Sequence, residues 1–143
     1  MNYLEGFAWL GKQALSGLIF FWPVTLVLVI ALLVTGEVAA RKKHVQEALR
    51  SRLLWIQLII PIFIITLGTL CARADRSLES LGGKRWAANL VFGFMTLELI
   101  ITTITIFRPR AYRALAIALS AFMAWISAWA TIVSLASITG NWL

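Results

Sequence analysis

Long apolar stretches alternate with short charged segments along the chain. Four stretches contain no Lys, Arg or Asp, and they lie at about 13–36, 53–72, 86–107 and 114–139. Each is long enough for a membrane helix, since about 20 helical residues cross a hydrocarbon core of roughly 30 Å. None alternates apolar and polar residues as a membrane β-strand does. The pattern predicts an all-α integral membrane protein, with four transmembrane helices and short loops in a single domain over 1–143.

A shorter apolar segment precedes the first predicted span. Residues 3–12 carry large apolar side chains, such as Phe7 and Trp9, with little charge. Two interpretations stay open: a short helix lying in the membrane interface, or a helical extension of the first span. The first apolar stretch exceeds the roughly 7 to 15 apolar residues of a removable signal peptide, so we expect the mature chain to keep it.

Composition points to the same class. The chain is 61% hydrophobic and 13% charged, with a mean hydropathy of +0.88, whereas a soluble domain is about half apolar and about one quarter charged. The net charge of +7 does not indicate nucleic-acid binding, because the basic residues lie between the apolar stretches, where anionic lipid headgroups are a sufficient partner. The lone Cys71 cannot form an internal disulfide.

The distribution of Lys and Arg predicts the orientation in the membrane. The segments after the first and third spans hold eight basic residues (five and three), and the opposite side holds the other five of the 13. Basic loops favour the cytoplasmic side. Segments 41–52 and 108–113 are therefore predicted to be cytoplasmic, with both termini outside, in a plasma (bacterial inner) membrane. We expect lipid headgroups to be contacted by Arg41, Lys42, Lys43, Arg108 and Arg110.

One carboxylate lies inside an apolar stretch. Glu98 is about two residues from the centre of the third span, where a charged side chain costs several kcal/mol unless it is neutralised, paired or hydrated. Thr102 and Thr105 follow on the same helix face. Gln57 is the best internal partner, because Pro61 displaces the Gln57 carbonyl and leaves the residue in need of hydrogen bonds. The sequence thus predicts a candidate intramembrane polar site formed by Glu98, Thr102, Thr105 and Gln57.

Three interpretations of Glu98 stay open. It is protonated and hydrogen-bonded within the chain, or it pairs with a group on another subunit, or it binds a proton or cation during transport. No Lys, Arg or His lies inside any of the four stretches. A cationic partner from this chain is therefore not expected at its depth.

Small residues recur at helical spacing in the fourth span. Ala116, Ser120 and Ala124 are four residues apart, while Ser120, Ser127 and Ser134 are seven apart. Small side chains let helices approach closely, and serines can bond across them. We predict a helix-packing face formed by Ala116, Ser120, Ala124, Ser127 and Ser134, serving either the internal bundle or another protein.

Residues for catalysis or cofactor binding are missing from the sequence pattern. The only His, His44, lies in a basic loop, so the chain offers no pair of histidines for haem. We find no metal-ligand cluster, no Gly-rich phosphate loop and no Ser-His-Asp arrangement. We therefore expect no enzyme activity and no cofactor.

These observations leave one leading function and one competitor. The leading prediction is a non-catalytic membrane subunit or accessory protein that packs within a larger membrane protein complex. Its partners would be the lipid bilayer and other membrane subunits or further copies of itself, with no nucleic acid. The alternative is a small oligomeric transporter or channel for protons or cations that uses Glu98. The sequence neither supports nor excludes a third class, a small membrane-disrupting or immunity-type protein.

Overall fold

The chain folds as a bundle of helices. The structure, a computed structural model, describes residues 3–41, 45–49, 51–72, 85–107 and 112–139, and the regular structure within these ranges is entirely helical. The described helices are, in order, α1 Tyr3–Phe20, α2 Trp22–Arg41, α3 Val45–Leu49, α4 Arg52–Leu70, α5 Arg85–Phe107 and α6 Arg113–Thr139. The prediction of an all-helical protein is confirmed.

Four of these helices have the length and composition to cross a membrane. They are α2, α4, α5 and α6, which are 20, 19, 23 and 27 residues long. At a rise of 1.5 Å per residue, even the shortest is about 28 Å long, close to the thickness of a hydrocarbon core. Four membrane-length apolar helices are the expected feature of a multi-pass membrane protein.

The first predicted span, 13–36, is divided between two helices. α1 ends at Phe20, Phe21 forms a turn, and α2 begins at Trp22. Pro23 explains the break, because proline has no N–H and its ring displaces the preceding turn of a helix. Proline is tolerated in the first turn of a helix, so α2 starts immediately before it. The membrane-length helix is therefore Trp22–Arg41, in place of one uninterrupted helix over 13–36.

Both α1 and α2 run antiparallel to α6. As the residue number rises along α1 and α2, the facing residue on α6 falls, as three neighbouring pairs show: Gly17 with Trp129, Thr25 with Trp125, and Gly36 with Leu115. The break at Phe21 therefore lies beside the middle of α6.

Residues 3–12 are the first turns of α1. This helix continues without interruption to Phe20, so no boundary separates 3–12 from the residues that follow. Its buried residues Gly6, Leu10, Ala14 and Gly17 recur every three or four positions and face α4 and α6. Residues 3–12 are thus continuous with 13–20, and the break at Phe21 separates them from the membrane-length helix α2. The predicted interfacial helix is not confirmed.

All four long neighbours pack around α6. It contacts α1, α2, α4 and α5, and α4 also packs against α1 and α5. α2 lies at the edge of the bundle, with Ala39 as its one buried residue. The core of the described structure therefore sits between α4, α5 and α6.

Candidate intramembrane polar site

Three polar side chains from three helices form a hydrogen-bonded cluster. The amide nitrogen of Gln57 on α4 donates to Thr102 Oγ1 on α5 at 3.0 Å, and Ser120 Oγ on α6 donates to Gln57 Oε1 at 3.0 Å. Gln57 and Ser120 are completely buried. Because hydrocarbon offers no hydrogen bonds, polar side chains at this depth need partners within the protein. The cluster supplies them and links the three core helices.

Glu98 lies one turn of α5 away from Thr102, about 6 Å along the helix axis. Its side chain is completely buried by the chain itself. Within the described residues, neither of its carboxylate oxygens has a hydrogen-bond partner. The expected bond between Glu98 and Gln57 is not formed, and the Gln57 side chain instead bonds to Thr102 and Ser120. Burial inside the chain also keeps Glu98 from contacting another subunit in this conformation.

Thr105, the fourth residue of the predicted site, does not join the cluster. It is buried, but its hydroxyl donates to the carbonyl oxygen of Ile101 in its own helix at 2.8 Å. A buried threonine commonly satisfies its hydroxyl in this way. Of the four predicted residues, the structure joins Gln57 and Thr102 directly and places Glu98 one turn further along the same face.

Two more hydroxyls on α6 point into the core without a partner. Ser127 and Thr131 are buried and one turn apart, and their side-chain oxygens have no hydrogen bond among the described residues. α5 and α6 are antiparallel, so Glu98, Ser127 and Thr131 lie on the same side of the Gln57 cluster. At 1.5 Å per residue, Glu98 is about 6 Å along the bundle from the cluster, Ser127 about 10 Å and Thr131 about 16 Å.

The chemistry of this region follows from those groups. A carboxyl group with unused hydrogen-bonding capacity can hold a proton or bind a small cation, and an unpaired hydroxyl can bind a water molecule. Sequence reasoning did not select Thr131, although it lies four residues after Ser127 and so on the same helix face.

Within the described residues, no group of three His, Cys, Asp or Glu side chains is placed to hold a metal ion.

The predicted packing face of α6 is turned into the bundle. Ser120, Ser127 and Ser134 are completely buried, Ala116 is buried, and Ala124 is half-buried. In this structure the small residues serve the internal contacts of the chain. The alternative, that they form a surface for another protein, is not the arrangement seen.

Close approach of α4 and α6 depends on these small residues. Ser134 Oγ donates to the carbonyl oxygen of Ile64 at 3.0 Å, and Ser137 Oγ donates to that of Gly68 at 3.2 Å. A Cβ atom built on Gly68 would lie 2.9 Å from the Cα of Ser134. The two backbones are therefore as near as glycine allows.

The predicted headgroup-contacting residues fall mostly outside the described ranges. Arg41 ends α2, is exposed, and forms an ion pair with Glu37 at 2.5 Å. Lys42, Lys43, Arg108 and Arg110 lie outside the described residues.

The break between α1 and α2 is held by Thr25 and an aromatic cluster. The Thr25 hydroxyl donates to the carbonyl oxygen of Leu18 at 2.8 Å and accepts a hydrogen bond from Trp125 Nε1 at 3.1 Å. Phe21 packs against Trp125 and Trp129 of α6, with ring centroids 6.3 and 5.4 Å apart. A carbonyl at the break is thereby satisfied within the protein.

Comparison of the chain with protein-family models, with curated proteins and with solved structures finds no match. The class that the fold and composition define is a multi-pass α-helical membrane protein with a buried polar core.

Proposed function

We propose that this protein is a non-catalytic membrane subunit or accessory protein that packs within a larger membrane assembly. The observation that carries the proposal is an exposed patch at the break between α1 and α2, formed by Ile19, Phe20 and Trp22. Their exposed fractions are 73, 79 and 62%. Three large neighbouring side chains thus project outward where the helix is interrupted.

The composition of this patch favours a protein partner. It lies beside Trp125 and Trp129 of α6, at the point where α2 begins. Aromatic side chains are enriched in the buried centres of protein interfaces. A partner helix seated against the break would bury these three large side chains together.

The position of α2 leaves room for such a partner. Ala39 is its one buried residue, and apolar side chains such as Val27 and Leu33 are each 66% exposed. A second helix could therefore lie along α2 without displacing any contact of the bundle.

Site-specific photocross-linking in native membranes tests the proposal. A photoreactive residue in place of Phe20 should cross-link to one discrete protein band. The matched control is Phe107, which is 75% exposed at the end of α5 and should give lipid adducts only. A cross-link to a second copy would identify the assembly as a homo-oligomer.

Co-purification in a mild detergent is the second test of the subunit proposal. We expect the partner to co-purify with the natural chain and to be lost with Trp22→Leu, while Trp86→Leu, at the start of α5, retains it. A homogeneous particle that contains one copy of this chain, together with lipid adducts only at both positions, would reject the proposal.

A second candidate function is supported by the buried carboxyl group. It is a small oligomeric transporter or channel for protons or cations that uses Glu98. Both oxygens of Glu98 are enclosed without a hydrogen-bond partner in the described structure. Intramembrane carboxyl groups commonly mark ion and proton pathways.

Flux measurements in reconstituted vesicles separate the two candidates. The transporter should carry protons or a monovalent cation, and Glu98→Gln should abolish the flux while the protein still elutes as the natural assembly. Glu37→Gln is the matched control, because Glu37 is exposed and outside the core. Flux no greater than that of empty vesicles, or equal flux in Glu98→Gln, would reject transport and leave the subunit proposal standing.

A further inference from the structure

An apolar groove opens where α3 meets the first turns of α4 and α6. Its volume is about 300 Å³, and its walls include Ala48 of α3, Leu54 and Leu58 of α4, and Leu115 and Leu119 of α6. Sites for small molecules in proteins range from roughly 300 to 1,000 Å³. The groove is thus large enough for part of an elongated apolar ligand, and none of these residues belongs to the Glu98 site.

Two arginines lie two residues before groove-lining leucines, Arg52 before Leu54 and Arg113 before Leu115. Arg52 is the first residue of α4 and Arg113 is the first residue of α6, and both are exposed. Because α4 and α6 lie side by side and parallel, their first residues lie at the same end of the bundle. The parallel direction follows from the bonds already described, in which residue numbers on α4 and α6 rise together.

Among the side chains that the structure describes, the ion pair seen at this end joins Arg41 to Glu37, and none joins Arg52 or Arg113 to an acidic residue. Arg52 and Arg113 add two positive charges at this end of the bundle. Arginine binds phosphate oxygens through two parallel N–H donors, which makes this pair a good site for a phosphate group.

The groove has the dimensions of a lipid tail site rather than a helix site. Leu58 lies six residues after Arg52, and Leu119 lies six residues after Arg113, so the apolar wall extends about 9 Å inward from the arginines. A transmembrane partner helix would need a contact surface that continues across about 30 Å. A ligand with an anionic head and an apolar chain fits the charges, and the first part of its chain fits the apolar wall.

We propose that this groove binds one anionic phospholipid. Arg52 and Arg113 hold the headgroup phosphate, and the acyl chain lies along Leu54, Leu58 and Leu119. The site is independent of the function proposed above.

Lipid titration of the purified chain, followed by native mass spectrometry, tests this proposal. The protein is delipidated in detergent and titrated with phosphatidylglycerol or with phosphatidylcholine that has the same acyl chains. We expect one phosphatidylglycerol to bind about tenfold more tightly than phosphatidylcholine, because the choline ammonium offsets the phosphate charge that the arginines attract. Equal binding of the two lipids would overturn the proposal without any variant.

Two pairs of variants locate the site. Arg52→Gln combined with Arg113→Gln should remove the preference for phosphatidylglycerol, and Arg85→Gln, at the exposed first residue of α5, should keep it. Leu58→Trp should fill the groove and weaken binding of both lipids. Its control is Leu97→Trp on α5, because Leu58 and Leu97 are each 42% exposed.

Equal melting temperatures of each variant and its control establish that loss of lipid is not loss of fold. Binding by the arginine double variant that matches the natural chain would overturn the headgroup assignment. Leu58→Trp and Leu97→Trp with equal lipid binding would overturn the tail assignment. A change of oligomeric state in Leu58→Trp, with lipid binding retained, would assign the groove to a second copy of the chain and overturn the proposal.

Discussion

Gly68 sets the distance between α4 and α6. An added Cβ would lie 2.5 Å from Ser134 Oγ and 2.9 Å from its backbone Cα, so the side chain cannot simply rotate away. Gly68→Ala should destabilise the protein by about 1–3 kcal/mol, the usual cost of overpacking a core. The measurement is thermal unfolding in detergent micelles.

Gly93→Ala is the matched control for this substitution. Gly93 also lies inside a membrane-length helix, but a Cβ there would meet nothing within 4 Å. We expect its melting temperature to equal or exceed that of the natural chain. A Gly68→Ala protein as stable as Gly93→Ala would show that α4 and α6 are not in close contact.

Gln57 joins α4 to both neighbouring core helices. Gln57→Leu should lower the free energy of unfolding by about 1 kcal/mol, since hydrogen bonds between membrane helices average about 0.6 and reach about 1.7 kcal/mol. Adding Ser120→Ala to Gln57→Leu should cost little more, because the Ser120 bond to Gln57 has already been lost. Fully additive effects in a double-mutant cycle would contradict the shared bond.

The polar cluster shows how far residue-level prediction reaches. The predicted site groups Gln57 with Thr102, and the structure has a hydrogen bond between them. The sequence places Ser120 on the packing face of the fourth span and does not assign it to the polar site. The second predicted span is apolar on nearly every side, so its sequence does not indicate which face turns towards Glu98.

At the scale of elements, the break between α1 and α2 depends on Thr25. Thr25→Val removes the donor to the Leu18 carbonyl and the acceptor for Trp125 Nε1. We expect the free energy of unfolding to fall by about 1 kcal/mol, because two polar groups in partly buried positions lose their partner. The intrinsic fluorescence of the protein should also change, because the Trp125 indole loses its hydrogen bond.

Thr103→Val is the control for this prediction. Its hydroxyl is exposed and bonds only to the Leu99 carbonyl in its own helix, at 2.8 Å. That substitution should leave both the stability and the emission spectrum close to those of the natural chain. Identical behaviour of the two variants would mean that the contact of Thr25 with Trp125 contributes nothing.

Charged residues predicted the ends of three helices closely. The stretches at 53–72, 86–107 and 114–139 agree within two residues with α4, α5 and α6. The reason is physical: Lys and Arg mark where the hydrocarbon ends, so the charge pattern and the helix end coincide. The break at Phe21 escaped this reasoning because Pro23 interrupts backbone hydrogen bonding without changing the hydropathy.

At the scale of the whole molecule, the orientation of the protein in the membrane is a prediction. Thiol labelling of single introduced cysteines can test it. Cys71→Ala removes the one native thiol. In that background, Arg85→Cys should react with a membrane-impermeant thiol reagent applied to intact cells. Arg52→Cys and Arg113→Cys should react only after the membrane is permeabilised, since segments 41–52 and 108–113 are predicted to be cytoplasmic.

The reverse labelling pattern would invert the topology and place both termini in the cytoplasm. Labelling of Arg52→Cys and Arg113→Cys from opposite sides of the membrane would contradict more than the predicted orientation. The two residues begin parallel, adjacent helices, and such a result would contradict the bundle itself.

The central place of α6 has a consequence for how the chain is made. α6 touches α1, α2, α4 and α5, yet it follows all of them in the sequence. During synthesis, Glu98 and Gln57 therefore enter the membrane before the helix that covers them has left the ribosome. Until α6 arrives, the nascent chain carries an uncovered carboxyl group in the bilayer, a feature that membrane quality-control proteases and insertion chaperones could recognise. Completion of the bundle is thus a late event in biosynthesis, reached only when the last of these helices is inserted.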